Sequence, residues 1–264
     1  MMNNITGTII TLNNEHLIED CITSLKKICN EIIVVDSLSS DKTREIAKKL
    51  GAKVFEQEFL GDGPQKKIAS TFASNDWIFS LDADERLEDD LINYINSIDI
   101  KKNTFDGYSF RRRNYCGTKW IKAAGFYPDR VTRLYNRRLV NYYPSTSHSY
   151  VDSKSTLNLN YHIRHYTYNS YKDWIDRINF YSTQSAKSLH VKGVKRSRIR
   201  PVTHALFAFF KKLFIKGGIF QGLDGFTVAL TTMFNTYMKY IKLNELYDNK
   251  ADPSKHFPSK DSDN

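Results

Sequence analysis

Cysteine is scarce in this chain: Cys21, Cys29 and Cys116 are the only three among 264 residues. Three scattered thiols exclude a disulfide framework or a zinc site. Cys21 and Cys29 fall on one helical stretch, as core thiols of a reducing compartment do. No apolar run approaches the roughly 18 residues of a spanning helix. The N-terminus has no basic region followed by an apolar run, so a secretory signal is expected to be absent. Internal repeats are missing, and the polar tail Asp248 to Asn264 is expected to be disordered. There is no phosphate-binding glycine loop either. Gly61-Asp62-Gly63-Pro64 lacks Walker spacing, and Leu12-Asn13-Asn14-Glu15 after the first strand contains no glycine. Acid is also short. The 39 Lys and Arg outnumber 29 Asp and Glu, for a net charge of +10, which calls for an anionic partner. No RNA- or DNA-binding signature accompanies that charge, so nucleic acid is not the expected partner.

What is present is a regular alternation of strand and helix. Ile5 to Thr11, Glu31 to Asp36, Ala52 to Phe55 and Trp77 to Leu81 read as strands. Glu15 to Cys29, a segment starting near Ser40-Asp41-Lys42-Thr43 and stopped by Gly51, and Pro64 to Ala73 read as helices. That order predicts parallel βαβ units in one α/β domain, since a chain of this length buries one sizeable core. The last strand runs into Ser80-Leu81-Asp82-Ala83-Asp84-Glu85. Ligands of open α/β sheets sit beyond the carboxyl ends of the strands, where Asp82 and Asp84 fall. Two acids one residue apart suit a hard divalent cation shared with a diphosphate. The same pair also occurs in solvated turns.

Basic residues cluster at Arg111-Arg112-Arg113, at Arg137-Arg138 and over Lys192 to Arg200. The last cluster leads into Pro201 to Ile215, where Val202, Leu206, Phe209, Phe210 and Phe214 form an apolar stripe flanked by Lys211, Lys212 and Lys216. This pattern predicts an amphipathic helix lying in an anionic membrane interface; the alternative is a helix packed on the catalytic domain. Residues 1–190, 191–247 and 248–264 are read as catalytic domain, helical extension and tail.

The succession TIITLNNE (Thr8 to Glu15), IIVVDSLSSDKT (Ile32 to Thr43), GAKVFEQEFLGDGPQKK (Gly51 to Lys67) and WIFSLDADERL (Trp77 to Leu87) resembles family 2 glycosyltransferases of the GT-A fold. With RRRNY (Arg111 to Tyr115), GFYPDRVTRLYNRR (Gly125 to Arg138) and GGIFQGLDGF (Gly217 to Phe226), the chain is similar to the lipopolysaccharide inner-core glucosyltransferases that add glucose to heptose. The resemblance implies a Rossmann-like nucleotide-binding domain with a mostly parallel sheet and a basic, helical C-terminal extension. It implies inverting hexosyl transfer from a UDP-sugar to an anionic glycolipid, with Mg²⁺ or Mn²⁺, at the inner face of the cytoplasmic membrane. The alternative is another nucleotide-sugar transferase or a nucleotidyltransferase, although the latter would normally open with a glycine-rich loop.

The resemblance also assigns residues. Asp84 is the expected metal ligand, and Asp82 binds donor hydroxyls or shares the metal. Thr11, Asn13 and Glu15 line the nucleotide side, Asp36 accepts from the uracil N3–H or a ribose hydroxyl, and Lys66 touches the nucleotide. Many relatives carry tyrosine where Asn13 stands and a second acid where Ser37 stands. An inverting transferase needs one carboxylate within reach of the acceptor hydroxyl, and Asp129 is the expected base. Tyr127, Arg130, Arg133 and His148 are the expected acceptor-side residues. For Asp36 and Asp129 the alternative is a turn acid, and for Lys66 a solvated lysine.

Overall fold

The computed structural model describes residues 3–102, 104–143 and 149–251. His148 and the tail beyond 251 therefore lie outside the described residues. The described residues fall into two compact units, one within 1–120 and 127–167, the other within 121–126 and 168–251.

The first unit is built on β1 (Ile5–Thr11), β2 (Glu31–Asp36), β3 (Lys53–Glu56) and β4 (Trp77–Asp82). They pair in parallel in the order β3-β2-β1-β4. β1, β2 and β4 are buried on both faces, β1 with Thr6, Thr8 and Thr11 among its buried residues, as strands between two helical layers must be. The crossovers are α1 (Ile18–Leu25), α2 (Thr43–Lys49) and α3 (Asp62–Thr71). A Cβ on Gly7 would lie 2.8 Å from Ile32 Cδ1 and 3.2 Å from Leu25 Cδ1, so any larger residue there would have to push these side-chain ends aside. Two helices differ from their sequence boundaries. α1 is shorter because Asn14 starts a turn and the backbone of residues 13–15 is bound elsewhere. α3 begins before Pro64, because first-turn amides have no helical partner and proline is tolerated there.

After β5 (Glu85–Leu87) and α4 (Asp89–Ser97), the chain adds β6 (Gly107–Cys116), β7 (Lys119–Trp120), β8 (Asp129–Asn136) and β9 (Thr156–Tyr168). These extend the sheet as β4-β8-β6-β9-β5, with β7 paired to β6. β8 runs antiparallel to β4, placing Leu134 against Phe79. The parallel half thus carries the strand ends, and the antiparallel half lays long side chains across them.

The second unit consists of α5 (Tyr171–Val191), α6 (Arg200–Phe210) and α7 (Gly222–Ala251). α5 clusters with these helices, and the second unit takes up the chain again at Tyr168. Ala186 of α5 is buried against Tyr240 and Leu243 of α7.

Candidate active site

β4 ends on Asp82, and the turn to β5 carries Asp84 and Glu85. The two acids of the pair meet different chemistry. Asp82 Oδ1 lies 2.8 Å from Lys66 Nζ on α3, and Oδ2 lies 2.5 Å from Arg133 Nη2 on β8. Arg133 also meets Glu85 Oε1 at 2.5 Å, and Arg112 on β6 reaches the same oxygen at 3.3 Å. Lys66 is shared with Asp62 at 3.1 Å and with Ser149, whose hydroxyl donates to Asp62. Lys66, Arg133 and Glu85 are buried. Burial alone would raise the Asp82 carboxyl, but Arg133 and then Lys66 hold it well below the usual carboxylate range. Burial is the largest influence on the Lys66 ammonium and the Arg133 guanidinium and works against both. Asp82 together with Asp62 and Tyr142 for Lys66, and with Glu85 and Tyr142 for Arg133, outweighs it, leaving Lys66 raised and Arg133 well above its ordinary value.

Asp84 instead faces a histidine, with its Oδ2 lying 3.6 Å from His165 Nε2 on β9. The other ring nitrogen, Nδ1, is 2.7 Å from Asn114 Oδ1, and Asn114 Nδ2 donates to Asp129 Oδ2 at 3.2 Å. These contacts fix the tautomer. An ionised carboxylate can only accept, so Asn114 turns its NH₂ to Asp129 and its oxygen to His165. A neutral ring in this setting donates from Nδ1 and keeps the Nε2 lone pair on the Asp84 side. A carboxylate oxygen and an oriented imidazole nitrogen leave a donor pair open to a divalent cation such as Mn²⁺, whereas both oxygens of Asp82 already hold cations. Asp129 itself is held by Arg112, through Nη2 at 2.8 Å and Nε at 2.9 Å. A continuous chain of polar contacts therefore runs from Asp84 through His165, Asn114, Asp129, Arg112, Glu85, Arg133 and Asp82 to Lys66.

The other expected residues are dispersed around this chain. Thr11 and Asp36 are buried at the ends of β1 and β2. Asp36 accepts from Ser39 N at 2.7 Å and Ser39 Oγ at 2.5 Å, and Arg44 Nε lies 3.7 Å away. Its carboxylate thus closes its own loop. Asn13, at a φ of 52°, gives its N–H to Ser39 Oγ and takes Ser40 N, both at 2.8 Å. Glu15 accepts from Lys42 N at 3.0 Å. On the expected acceptor side, Tyr127 Oη contacts His162 Nε2 at 3.0 Å and Arg111 Nη1 at 3.3 Å. Arg130 turns to the Leu159 carbonyl at 2.8 Å. Arg133 is drawn away from that group altogether, into the acid cluster.

The basic cluster on β6 is not a free anionic-partner surface. Arg112 pairs with Glu85 and Asp129, while Arg113 lies 2.5 Å from Glu88 and 4.7 Å over the Trp120 ring. Glu88, Asp90 and His162 form a second potential cation cluster. Arg113, with Arg164 at 3.7 Å, already answers the Glu88 charge. Sequence reasoning passed over His165 and Asn114. The only signal was two histidines, His162 and His165, set among polar and aromatic residues of one strand.

A parallel β3-β2-β1-β4 sheet with crossover helices, an acid pair at the end of β4 and an antiparallel extension laid beside it define an α/β protein of the GT-A type. Residues 8–166 match the family described as Glycosyl transferase family 2, and the chain belongs to that family. An uncharacterized glycosyltransferase of Rickettsia bellii (strain RML369-C) is 36% identical over 259 residues, covering 92% of this chain and 86% of its own. The lipopolysaccharide core biosynthesis glycosyltransferase LpsC of Rhizobium meliloti (strain 1021) is 26% identical over 264 residues, 95% of each chain. The mannosyltransferase PcManGT from Pyrobaculum calidifontis, solved in complex with GDP-Man and Mn²⁺, shares the fold. Its TM-score is 0.52 at 13% identity, over 94% of this chain and 88% of that one. The chain is a glycosyltransferase, and the nucleotidyltransferase alternative falls away.

Proposed function

We propose that this chain transfers a hexose, glucose from UDP-glucose, with inversion, to a heptose of a lipopolysaccharide inner core at the inner face of the cytoplasmic membrane. The observation that carries the chemistry is the Asp84–His165 pair with its tautomer set by Asn114. Asp84 and His165 would hold Mg²⁺ or Mn²⁺, which neutralises the charge developing on the leaving diphosphate. Asp82 keeps Lys66 and Arg133 in place beside that position, so the anion meets ordered cations. Asp129, oriented by Arg112 and Asn114, takes the proton of the acceptor hydroxyl as it attacks the sugar carbon from the face opposite the departing diphosphate. The full-length similarity to LpsC supports a core-oligosaccharide acceptor.

Calorimetry with UDP in Mn²⁺ and in chelator tests the donor side, and transfer from UDP-glucose to a heptose acceptor tests the rest. UDP is expected to bind at least about 10-fold more tightly with Mn²⁺. Equal affinity in both buffers would remove the metal-bridged diphosphate, and tighter binding of GDP than UDP would move the donor.

A further inference from the structure

The second unit carries an apolar surface that the donor chemistry does not use. α6 continues through the π-helical turn Lys211–Ile215, and the chain then bends by 67° into the segment that begins at Gly218 and becomes α7. Glycine builds this apex. A Cβ on Gly225 would lie 1.9 Å from the Gly218 carbonyl oxygen, and one on Gly218 would lie 2.8 Å from the Lys212 carbonyl oxygen. Nothing larger than hydrogen lets the two arms close this tightly. The large side chains around the apex point into solvent. Phe220 is 90% exposed, Leu223 77% and Ile215 69%, and Ile219 is half-exposed.

A contiguous exposed apolar patch marks an interaction site, and two properties decide its kind. The first is charge. No Asp or Glu occurs between Asp176 and Asp224, whereas Lys195, Arg196, Arg198, Arg200, Lys211 and Lys216 all fall in that interval. The second is composition. Among the described residues no single helix is long and apolar enough to cross a membrane, yet the bent pair together has the length and composition of a broken span or a re-entrant loop. An anionic bilayer answers both, with hydrocarbon for the apex and headgroups for the cations.

We propose that this hairpin inserts apex-first into an anionic lipid bilayer. Ile215, Ile219, Phe220 and Leu223 enter the acyl region, while Lys211 and Lys216 reach back to the headgroups along their apolar stems. The sequence pattern alone suggests a helix over 201–215 lying flat. The glycine-built bend moves the deepest point from the middle of α6 to the turn at 219–223. This inference needs no assumption about the donor or the acceptor.

All three native cysteines are buried, so a nitroxide placed on Phe220→Cys or Val202→Cys labels the exposed site selectively. Full-length labelled protein is mixed with phosphatidylcholine vesicles, with or without phosphatidylglycerol, and label depth is read from oxygen against aqueous relaxation agents. The label at 220 is expected deeper than that at 202, with partition favouring the anionic vesicles. Phe220→Glu combined with Leu223→Glu should cut partition by about 10-fold or more, while about 0.5 M salt weakens but does not abolish it. UDP binding in the first unit should stay unchanged, which separates failure here from failure of the donor reading. Equal depth at both positions, or a deeper 202, would overturn the proposal in favour of a flat helix. No preference for anionic vesicles would also overturn it. So would concentration-dependent immobilisation at 220 without lipid, because the face would then join two copies of the chain.

Discussion

Arg133→Met isolates the polar cluster at the end of β4. Arg133 is buried, and its Nη2 lies 2.5 Å from both Asp82 and Glu85. Removing one partner of a buried ion pair costs about 3–5 kcal/mol, because the abandoned charge stays out of water. Neither carboxylate is left alone here. Asp82 keeps Lys66 at 2.8 Å, and Glu85 keeps Arg112 at 3.3 Å. The loss should therefore sit at the lower end, about 3 kcal/mol. At roughly 2–4 °C per kcal/mol for a chain of this size, the melting temperature should fall by about 6–12 °C. Calorimetric melts at neutral pH measure this, and Glu85→Gln added to Arg133→Met should recover part of the loss. The pH dependence gives a second reading. Asp82 titrates well below its unfolded value of about 3.9, so its pairing stabilises fully above that pH and is lost as pH falls through the lower folded value. The penalty of Arg133→Met should thus be constant from pH 7 to about 5 and shrink in stronger acid. A shift under about 2 °C at neutral pH, or a penalty that grows on acidification, would refute the argument.

Two further outcomes follow from the Asp84 side. Asn114→Leu removes the acceptor that fixes the His165 tautomer, so Mn²⁺ affinity read by electron paramagnetic resonance should fall about 10- to 100-fold; an unchanged affinity would detach Asn114 from the metal. Asp129→Asn should lower turnover about 100-fold or more while leaving UDP affinity nearly constant, since the base meets the acceptor and not the nucleotide; normal turnover would move the base elsewhere.

The parallel half of the sheet was legible because its signal is local. β1, β2 and β4 are short β-rich runs buried along their length, and the first two are followed by helical spacing. The antiparallel half was not. β6 reads GYSFRRRNYC and β9 reads TLNLNYHIRHYTY. Their polar residues are used inside the fold, so the alternation that marks a half-buried strand is blurred. Arg111 to Arg113 looked like a landing strip for anions because the sequence hides that Glu85, Glu88 and Asp129 come to meet them. The acid pair was found by position, but the different partners of its two members were not. Asn114 and His165 are 51 residues apart and meet only through the order of β6 and β9 in the sheet. No spacing rule reaches that far. The apex at 217–225 was seen as a glycine-rich motif, whereas its geometry depends on backbone atoms of two arms approaching each other.

The loops that follow β1 and β2 are stitched to one another. Asn13 is bound to Ser39 and Ser40, Asn14 to Thr43, and Glu15 to Asp41 and Lys42. Nearly every stitch joins a backbone group of one loop to a side chain of the other, so neither loop can change length without tearing the seam. The two segments should open together in hydrogen exchange, as one cooperative flap and not as two independent tips. Any attempt to transplant a new nucleotide preference would then have to move residues 13–15 and 39–43 as a single cassette.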